Sequence, residues 1–210
     1  MKGRAELFDG WADGYDRTVT GNESFPFDGY ERVLAEVGRL VEARPGMRVL
    51  DLGTGTGNLA ALLAAQGLVV WGLDLSQKML AVARAKVPEA VFVQADILGT
   101  WPEGLPQRFD RIVSTYLFHE FDLVTKVDVL CRLAREHLAQ GGRIVIGDIV
   151  FPSFRARDVA KERWHELWDE EEHYWVAEEM VPALERAGFR VSYRQVSSCG
   201  GVFVLKPLFP

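Results

Sequence analysis

The chain has 210 residues, of which 48% are hydrophobic and 26% charged, and its formal net charge is −6 at pH 7. This composition is typical of a globular protein, and the negative charge disfavours binding to nucleic acid or anionic membranes. Two cysteines are too few for a disulfide framework, and the sequence has neither a signal-peptide pattern nor an apolar run of membrane-spanning length. We therefore expect one cytoplasmic domain over residues 1–210.

Helical patterns open the chain, at residues 4–20 and 26–43, and Pro45-Gly46 ends the second. Apolar runs then alternate with helical patterns up to about residue 150. The last of these helices is long and amphipathic, covers residues 122–139 and is expected to end before Gly141-Gly142. The runs predicted to be strands are "MRVLDL", "LVVWGLDL", "AVFVQAD", "FDRIVSTYL" and "GRIVIGDIVF".

Beyond Phe151 the sequence becomes charged and aromatic. The stretch "SFRARDVAKERWHELWDEEEHYW" is predicted to be helical, as is "VAEEMVPALERAG". The runs "FRVSYRQVS" and "GVFVLKP" are predicted to form a hairpin through Cys199-Gly200-Gly201. Strands that alternate with helices predict an α/β fold with a doubly wound, mostly parallel sheet, here closed by a C-terminal antiparallel hairpin.

The stretch "VLDLGTGTGNLAALLAAQG", residues 49–67, places Gly53, Gly55 and Gly57 at every second position between a strand and a helix. Glycines in this loop allow backbone N–H groups to approach a ligand, and ligands of such sheets bind beyond the carboxyl ends of the strands. The dinucleotide fingerprint G-x-G-x-x-G is not matched, because Asn58 stands where its last glycine is needed. The Lys and Ser/Thr of a phosphate loop are also missing.

Three carboxylates end three successive predicted strands. Asp51 would repel a pyrophosphate but favour an ammonium group, and Asp74, 23 positions later, can accept hydrogen bonds from both ribose hydroxyls. Asp96 can accept from an adenine amino group while the Ile97 N–H donates to the ring. Each aspartate alone could be a helix cap or a turn residue. Together they predict a site for a nucleoside that carries a cationic amine.

The stretches "VLDLGTGTG", "LDLS", "QADIL", "FDRIVS" and "LAQGGRIVI" resemble the ordered motifs of class I S-adenosylmethionine-dependent methyltransferases, whose Rossmann-like sheet has seven strands with one antiparallel. Nearly the whole chain resembles bacterial methyltransferases of the YrrT type, through "LFDGWADGYD", "STYLFHEF", "GDIVF" and "EEHY". The resemblance implies S-adenosylmethionine as the cofactor, with Gly53, Asp74 and Asp96 as contacts and Asp51 near the methionine amine.

The predicted methyltransferase domain divides into three parts: an N-terminal helical lid (1–44), a cofactor-binding core (45–150), and a helical segment with the closing hairpin (151–210). The resemblance makes "FDGWADGYD" a lid over the cofactor, with Tyr15 near its methionine end. The alternative is an amphipathic helix that packs Trp11 and Tyr15 onto the sheet. Further predicted cofactor contacts are Gly55, Gly57, Leu75, Ile97 and Ser114.

Residues that follow strands four and five are the candidates for chemistry. His119, in "STYLFHEF", is one of four histidines and is predicted to be a general base or a substrate-orienting residue. A structural hydrogen bond of a loop histidine is the alternative. Tyr116 either orients the substrate or packs as an aromatic, and Asp148 either acts in the site or accepts from loop amides. The run "DEEEH" at 169–173 is predicted to be a solvated helix face, and no metal is expected.

We therefore predict a metal-independent S-adenosylmethionine-dependent methyltransferase that acts on a small organic acceptor. The Asn/Asp-Pro-Pro-aromatic sequence of enzymes that methylate amines of DNA bases is replaced by "STYL". A non-catalytic S-adenosylmethionine-binding protein and a nicotinamide-dependent oxidoreductase are the alternatives, and Asp51 and Asn58 oppose the second. The oligomeric state is not indicated by the sequence.

Overall fold

The computed structural model of the chain describes residues 2–106 and 108–209, with the backbone alone for residues 2–5. Within these residues the α-helices are α1 (Lys2–Trp11), α2 (Tyr15–Val19), α3 (Tyr30–Leu40), α4 (Asn58–Ala65), α5 (Gln77–Lys86), α6 (Leu123–Arg132), α7 (Phe154–Arg163) and α8 (Ala177–Arg186). The strands are β1 (Arg48–Leu52), β2 (Val69–Asp74), β3 (Val91–Gln94), β4 (Phe109–Thr115), β5 (Leu138–Phe151), β6 (Trp175–Val176), β7 (Phe189–Gln195) and β8 (Gly200–Pro207).

The strands form one sheet in the order β3-β2-β1-β4-β5-β8-β7, and the two-residue β6 pairs with β5. Strands β1 to β5 pair in parallel, whereas β8 is antiparallel to both β5 and β7. The predicted α/β class, with a mostly parallel sheet and a C-terminal antiparallel hairpin, is confirmed. The strand order reverses between β1 and β4, which places the expected ligand site beyond the carboxyl ends of these strands.

Both faces of the sheet are covered by helices, because successive side chains of a strand point to opposite faces. In β1, the fully buried Val49 packs in one core with Val37 of α3, whereas Leu50 packs in another core with Leu130 of α6. The first core also contains residues of α4 and α5, and the second contains residues of α8. Within the described part of the chain, every helix is too short or too polar to cross a lipid bilayer.

Several predicted helices are shorter than expected. The predicted helix at 4–20 is interrupted by a turn at residues 12–14, and α3 begins only after Gly29, whose φ of +76° is not helical. The predicted helix at 122–139 becomes a π-helical turn at residues 133–137, and strand pairing starts at Leu138, opposite Phe109. Sheet pairing therefore ends this helix before the two glycines do.

Candidate active site

The glycine loop between β1 and α4 has the backbone shape that its sequence requires. Gly53, Gly55 and Gly57 have φ angles of +64°, +53° and +81°, which side chains disfavour. A Cβ on Gly53 would lie 2.9 Å from the Leu117 side chain. Gly57 precedes the first turn of α4, and a Cβ there would lie 3.1 Å from Ala83. Gly55 therefore has open space beside it, whereas neighbouring side chains leave no room for a Cβ at Gly53 and crowd one at Gly57.

A cavity of about 410 Å³ opens beside this loop, and we call it the cofactor cavity. Its volume is typical of a site for a small organic ligand. Of the predicted cofactor contacts, those that line it are Tyr15, Gly53, Gly55, Asp74, Leu75, Asp96 and Ile97. The sequence prediction that the ends of β1, β2 and β3 meet in one site is therefore reproduced in the geometry.

Asp74 holds the glycine loop and faces the cofactor cavity. One carboxylate oxygen accepts from the Gly55 N–H at 2.8 Å, and the other accepts from the Ser76 N–H at 2.8 Å. Burial raises the pKa of the Asp74 carboxyl above its ordinary value, and these backbone donors oppose the shift. The carboxylate retains acceptor capacity beyond these two bonds, as recognition of ribose hydroxyls requires.

Asp96 lies in the turn after β3, where its Oδ1 accepts from the Leu98 N–H at 2.9 Å. The buried Ile97 beside it lines the same cavity. The turn thus presents a carboxylate and a backbone segment side by side, which suits the edge of an adenine ring.

Asp51 is 1% exposed, and its Oδ2 accepts from the Thr54 hydroxyl at 2.7 Å. Its Oδ1 is buried with no hydrogen-bond partner among the described residues. Burial raises the pKa of Asp51 to about 7, and the charge of Asp74 adds to the shift while the Thr54 bond opposes it. A buried carboxylate in need of a partner fits a ligand with an ammonium group, although Asp51 itself is not on the cavity wall.

Ser114 does not reach the cavity, contrary to the sequence prediction. It is fully buried inside β4, where its hydroxyl donates to the Leu52 carbonyl at 2.8 Å. The next residue, Thr115, lines the cavity instead. Successive residues of a strand face opposite ways, so a displacement of one position moves a side chain out of the site.

Helices α1 and α2 are fastened beside the cofactor cavity by two aspartates. Asp16 accepts from the Thr56 hydroxyl at 2.6 Å, and it forms an ion pair with Lys86 at 2.7 Å. Asp9 accepts from the Ser76 hydroxyl at 2.5 Å. Tyr15 and Phe8 line the cavity from these helices. Tyr15 packs against the core, as the helix-packing alternative predicted, whereas Trp11 is 48% exposed, and the lid stays a prediction.

A second cavity, of about 480 Å³, adjoins the first, and we call it the acceptor cavity. The two cavities share the wall residues Phe8, Tyr15, Tyr116 and Glu120. His119 and Glu172 line the acceptor cavity but not the cofactor cavity. The segment that follows β4, residues 116–121, therefore lies between the two cavities.

His119 is held in place by Asp148. The His119 Nδ1 lies 2.6 Å from Asp148 Oδ1, and the His119 backbone N–H donates to Asp148 Oδ2 at 3.1 Å. The same Oδ2 accepts from the Trp175 indole at 3.1 Å. Asp148 is completely buried and lines neither cavity, so it is a positioning residue. Its predicted direct part in the site is not supported, because its oxygens are committed to these donors.

The other ring nitrogen of His119 faces two carboxylates. Its Nε2 lies 3.7 Å from Glu172 and 4.0 Å from Glu120. Burial alone would lower the pKa of His119, but the charge and hydrogen bond of Asp148, with the charges of Glu172 and Glu120, outweigh burial and raise it. One potential ligand atom each from His119, Glu120 and Glu172 lies within 4.8 Å of the other two.

Glu172 was missed by the sequence analysis, which placed residues 169–173 on a solvated helix face. The structure has no helix there, since α7 ends at Arg163. The His173 N–H donates to the His119 carbonyl at 2.7 Å, which fixes the loop beside the acceptor cavity. A pattern of consecutive acidic residues carries no signal for such a loop.

Tyr116 combines an unusual backbone with an unsatisfied hydroxyl. Its φ is +51°, a region that costs a residue with a side chain about 1–3 kcal/mol. Its ring packs near Tyr30 and Phe27, with centroid distances of 5.1 and 5.8 Å. The hydroxyl is buried with no partner among the described residues. The ring therefore packs as one of the two alternatives predicted, and a substrate-orienting role of the hydroxyl stays a prediction.

Comparison with known proteins identifies the family. A family model described as "Methyltransferase domain" matches residues 25–193. An uncharacterized methyltransferase of Bacillus licheniformis is 34% identical over 200 residues, covering 90% of this chain and 91% of that protein. Another, of Geobacillus kaustophilus, is 35% identical over 201 residues, covering 90% of each. The chain belongs to this methyltransferase family.

Solved structures share the fold. A DhpI–SAH complex superposes with a TM-score of 0.74 at 19% identity, covering 97% of this chain and 94% of that chain. Magnesium protoporphyrin IX methyltransferase of Synechocystis with bound SAH gives a TM-score of 0.70 at 19% identity, covering 96% and 98%. The protein is thus a methyltransferase, as its motifs predicted, and the oxidoreductase alternative is set aside.

Proposed function

We propose that this methyltransferase transfers the methyl group of S-adenosylmethionine to a small organic acceptor that binds in the acceptor cavity. The proposal rests on one observation, the wall that the cofactor cavity and the acceptor cavity share at Tyr15, Tyr116 and Glu120. Methyl transfer needs an acceptor aligned with the methyl group and shielded from water, and adjoining cavities provide both. The acceptor cavity is of a size for a metabolite, not for a macromolecule.

In this proposal, Gly53, Gly55, Asp74 and Asp96 hold the cofactor, which supplies an electrophilic methyl group when bound. Asp51 does not line the cavity, so it is proposed to favour the ammonium of the methionine part through its charge and not through direct contact. Tyr15 closes the cavity from the lid.

His119 is proposed as the general base. Asp148 accepts the proton of Nδ1, so the neutral ring has its lone pair on Nε2, on the side of Glu120 and Glu172. A base placed in this way contributes about 10²–10⁴-fold to methyl transfer to an acceptor that must lose a proton. Asp148 acts only through His119, whose tautomer and orientation it fixes.

The experiment is a metabolite library screened for the formation of S-adenosylhomocysteine by the purified protein. We expect S-adenosylhomocysteine to form with one class of small molecule and only at the background rate without an acceptor. Tight binding of S-adenosylmethionine, with no S-adenosylhomocysteine formed in the presence of any compound, would contradict the proposal. That result would favour the non-catalytic S-adenosylmethionine-binding protein.

A further inference from the structure

Lys126 carries a charged group into the interior of the protein. The residue lies in α6 and is 2% exposed, and its ammonium lies 5.5 Å from the centre of the Trp175 ring. Burial lowers the pKa of Lys126 to about 8, and the charges of Asp148, Asp122 and Glu179 oppose the shift. The ammonium is therefore still mainly charged at neutral pH. Since lysine is rarely buried without partners, its contacts indicate what it does.

The Lys126 ammonium joins two segments that are distant in the sequence. Its Nζ donates to the carbonyl of Phe121, five residues earlier, and to the carbonyl of His173 at 2.6 Å, 47 residues later. Segment 118–121 follows β4, and segment 172–174 precedes β6. Hydrogen bonds from a charged donor are shorter and stronger than those between neutral groups. One buried side chain thus ties the two segments together.

The same two segments carry three polar residues of the acceptor cavity. His119 and Glu120 come from the first segment, and Glu172 comes from the second. The His119 Nε2 lies 3.7 Å from the Glu172 carboxylate. Lys126 itself lines neither the cofactor cavity nor the acceptor cavity. It therefore acts on this wall through the backbone, without facing the cavity.

Regular secondary structure does not hold segment 172–174, which belongs to no helix or strand. At one end the ring of Tyr174 packs against Trp168, with 4.6 Å between the centroids. At the centre, the His173 N–H donates to the His119 carbonyl, and the His173 carbonyl accepts from the buried ammonium. Without the ammonium, the bond to His119 would be the remaining backbone hydrogen bond of His173 among the described residues.

Glu172 also borders a third cavity, of about 380 Å³, whose lining includes Lys126, Arg157 and Lys161. Its carboxylate therefore has cations on the side of the third cavity and His119 on the side of the acceptor cavity. Charged groups in such partly closed spaces attract one another more strongly than they do in water. How near the Glu172 carboxylate stays to His119 thus depends on where the backbone of its segment is held.

We infer that Lys126 is a positioning residue of the acceptor site: its ammonium joins segments 118–121 and 172–174 and thereby keeps the Glu172 carboxylate beside His119. This inference rests on the proposed function, which places the acceptor in the cavity that these two residues line. In this arrangement Lys126 reaches neither the cofactor nor the acceptor, so it is not a catalytic residue. The alternative is that its side chain only fills space in the core.

Lys126→Met tests the inference, because it removes the ammonium and keeps an unbranched apolar side chain of similar length. Hydrogen exchange followed by mass spectrometry on the ligand-free protein measures how firmly each segment is held. We expect the amides of segment 172–174 to exchange about tenfold faster or more, since the segment loses a charge-assisted hydrogen bond. Val129→Ala is the matched control, because it removes apolar packing from the same helix. It should leave the exchange of segment 172–174 unchanged.

The pKa of His119, measured by NMR of its ring protons, is the second readout, and the spectrum of His119→Ala assigns the signal. Burial lowers this pKa, but the charges of Asp148, Glu172 and Glu120 outweigh burial and raise it. Withdrawal of Glu172 in Lys126→Met should therefore lower the pKa of His119. Loss of the lysine's own positive charge would raise it, so the sign of the shift separates repositioning from a direct charge effect.

A double variant, Lys126→Met with Glu172→Gln, checks that the effect passes through Glu172. Its His119 pKa should be no lower than that of Glu172→Gln alone, because the carboxylate that Lys126 holds in place is already gone. A further fall in the double variant would mean that Lys126 acts on His119 by another route.

Faster exchange of segment 172–174 together with a lower pKa of His119 would support the inference. Unchanged exchange, or a pKa that stays the same or rises, would overturn it and leave packing as the role of the lysine. If Lys126→Met does not fold, Lys126→Gln takes its place, because its neutral amide is too short to reach both carbonyls, and the same two results decide. Neither measurement needs an acceptor, so failure of the library screen would overturn the proposed function alone.

Discussion

The carboxylate of Asp148 holds both the backbone and the ring of His119. Substitutions can separate the contribution of the His119 ring from that of the Asp148 charge. The His119 Nδ1 and its N–H both bond to Asp148, whereas Nε2 is directed toward Glu120 and Glu172. Loss of the ring removes the proposed base, and loss of the Asp148 charge changes only how the His119 ring is held and at which pH it is protonated.

His119→Ala should leave the affinity for S-adenosylmethionine within about 0.5 kcal/mol, because His119 does not line the cofactor cavity. Turnover of the true acceptor should fall by about 10²-fold or more, since a positioned base contributes at least that much. Calorimetry and the rate of S-adenosylhomocysteine release measure the two effects. Turnover at the unaltered rate would show that His119 is not the base.

The pH dependence of kcat/KM tests Asp148. A base must be neutral, so kcat/KM should rise with pH through the raised pKa of His119. Asp148→Asn removes the charge and hydrogen bond that raise this pKa, so the rising limb should move to lower pH. Ionisation of the acceptor affects both proteins equally, so the difference between the two profiles reports His119. Coincident profiles would argue that His119 does not titrate in the reaction.

Asp74 and Asp96 should respond differently to substitution. Asp74→Ala should weaken S-adenosylmethionine binding by about 1–3 kcal/mol and also destabilise the free protein, because two backbone N–H groups lose their acceptor. Asp96→Asn should weaken binding yet leave the melting temperature of the free protein unchanged, since its amide oxygen can still accept from Leu98. Calorimetry and thermal unfolding distinguish the two. A stability loss for Asp96→Asn with unchanged affinity would make Asp96 a structural cap.

At the level of secondary-structure elements, the parallel strands could be predicted from the sequence, whereas the loop that follows α7 could not. Parallel strands end at the same edge of a sheet, so Asp74 and Asp96 could be brought together from the sequence alone. The orientation of the Ser114 side chain could not be predicted from the sequence, because a shift of one residue within β4 turns a side chain to the other face of the sheet. Glu172 could not be found either, since the end of α7 is set by tertiary packing and not by a glycine or proline.

The lid is the element whose attachment can be tested directly. Asp16 ties α2 to Thr56 and Lys86, so Asp16→Ala should open the lid more often. Asp16 is partly exposed, and after discounting for solvent screening we expect an effect of about 1 kcal/mol, seen as roughly fivefold faster release of S-adenosylmethionine. Asp13→Ala is the matched control, because Asp13 is exposed on the same segment.

Stopped-flow release, followed by the fluorescence of Trp11 in α1, measures this effect. Equal release rates for Asp16→Ala and the unaltered protein would mean that the aspartate does not control access to the cavity.

The stability of the whole molecule should depend on pH through Asp51. The folded protein holds a proton on Asp51 up to about pH 7, whereas the unfolded chain loses it near the ordinary pKa of 3.8. The folded state therefore binds more protons between these values, and the free energy of unfolding must fall as pH rises through this window. The complete shift corresponds to at most about 4 kcal/mol.

Urea unfolding of the ligand-free protein between about pH 5 and about pH 7.5 measures this dependence. Asp51→Asn should flatten it, because the amide does not titrate. Asp74 and His119, whose pKa values are also raised, are present in both proteins, so the difference in slope between the unaltered protein and Asp51→Asn reports Asp51. An identical slope for Asp51→Asn would place the source of the pH dependence elsewhere.

The position of β8 between β5 and β7 has a consequence for how the chain is made. During synthesis, β1 to β5 leave the ribosome first and can pair with one another. The second edge of β5 stays uncovered until residues 200–207 have been synthesised. Until then a largely buried apolar strand presents open N–H and C=O groups, which invite pairing with another chain. This edge of the sheet is therefore completed only after β8 has been synthesised, and termination between β5 and Gly200 would yield a product prone to aggregation.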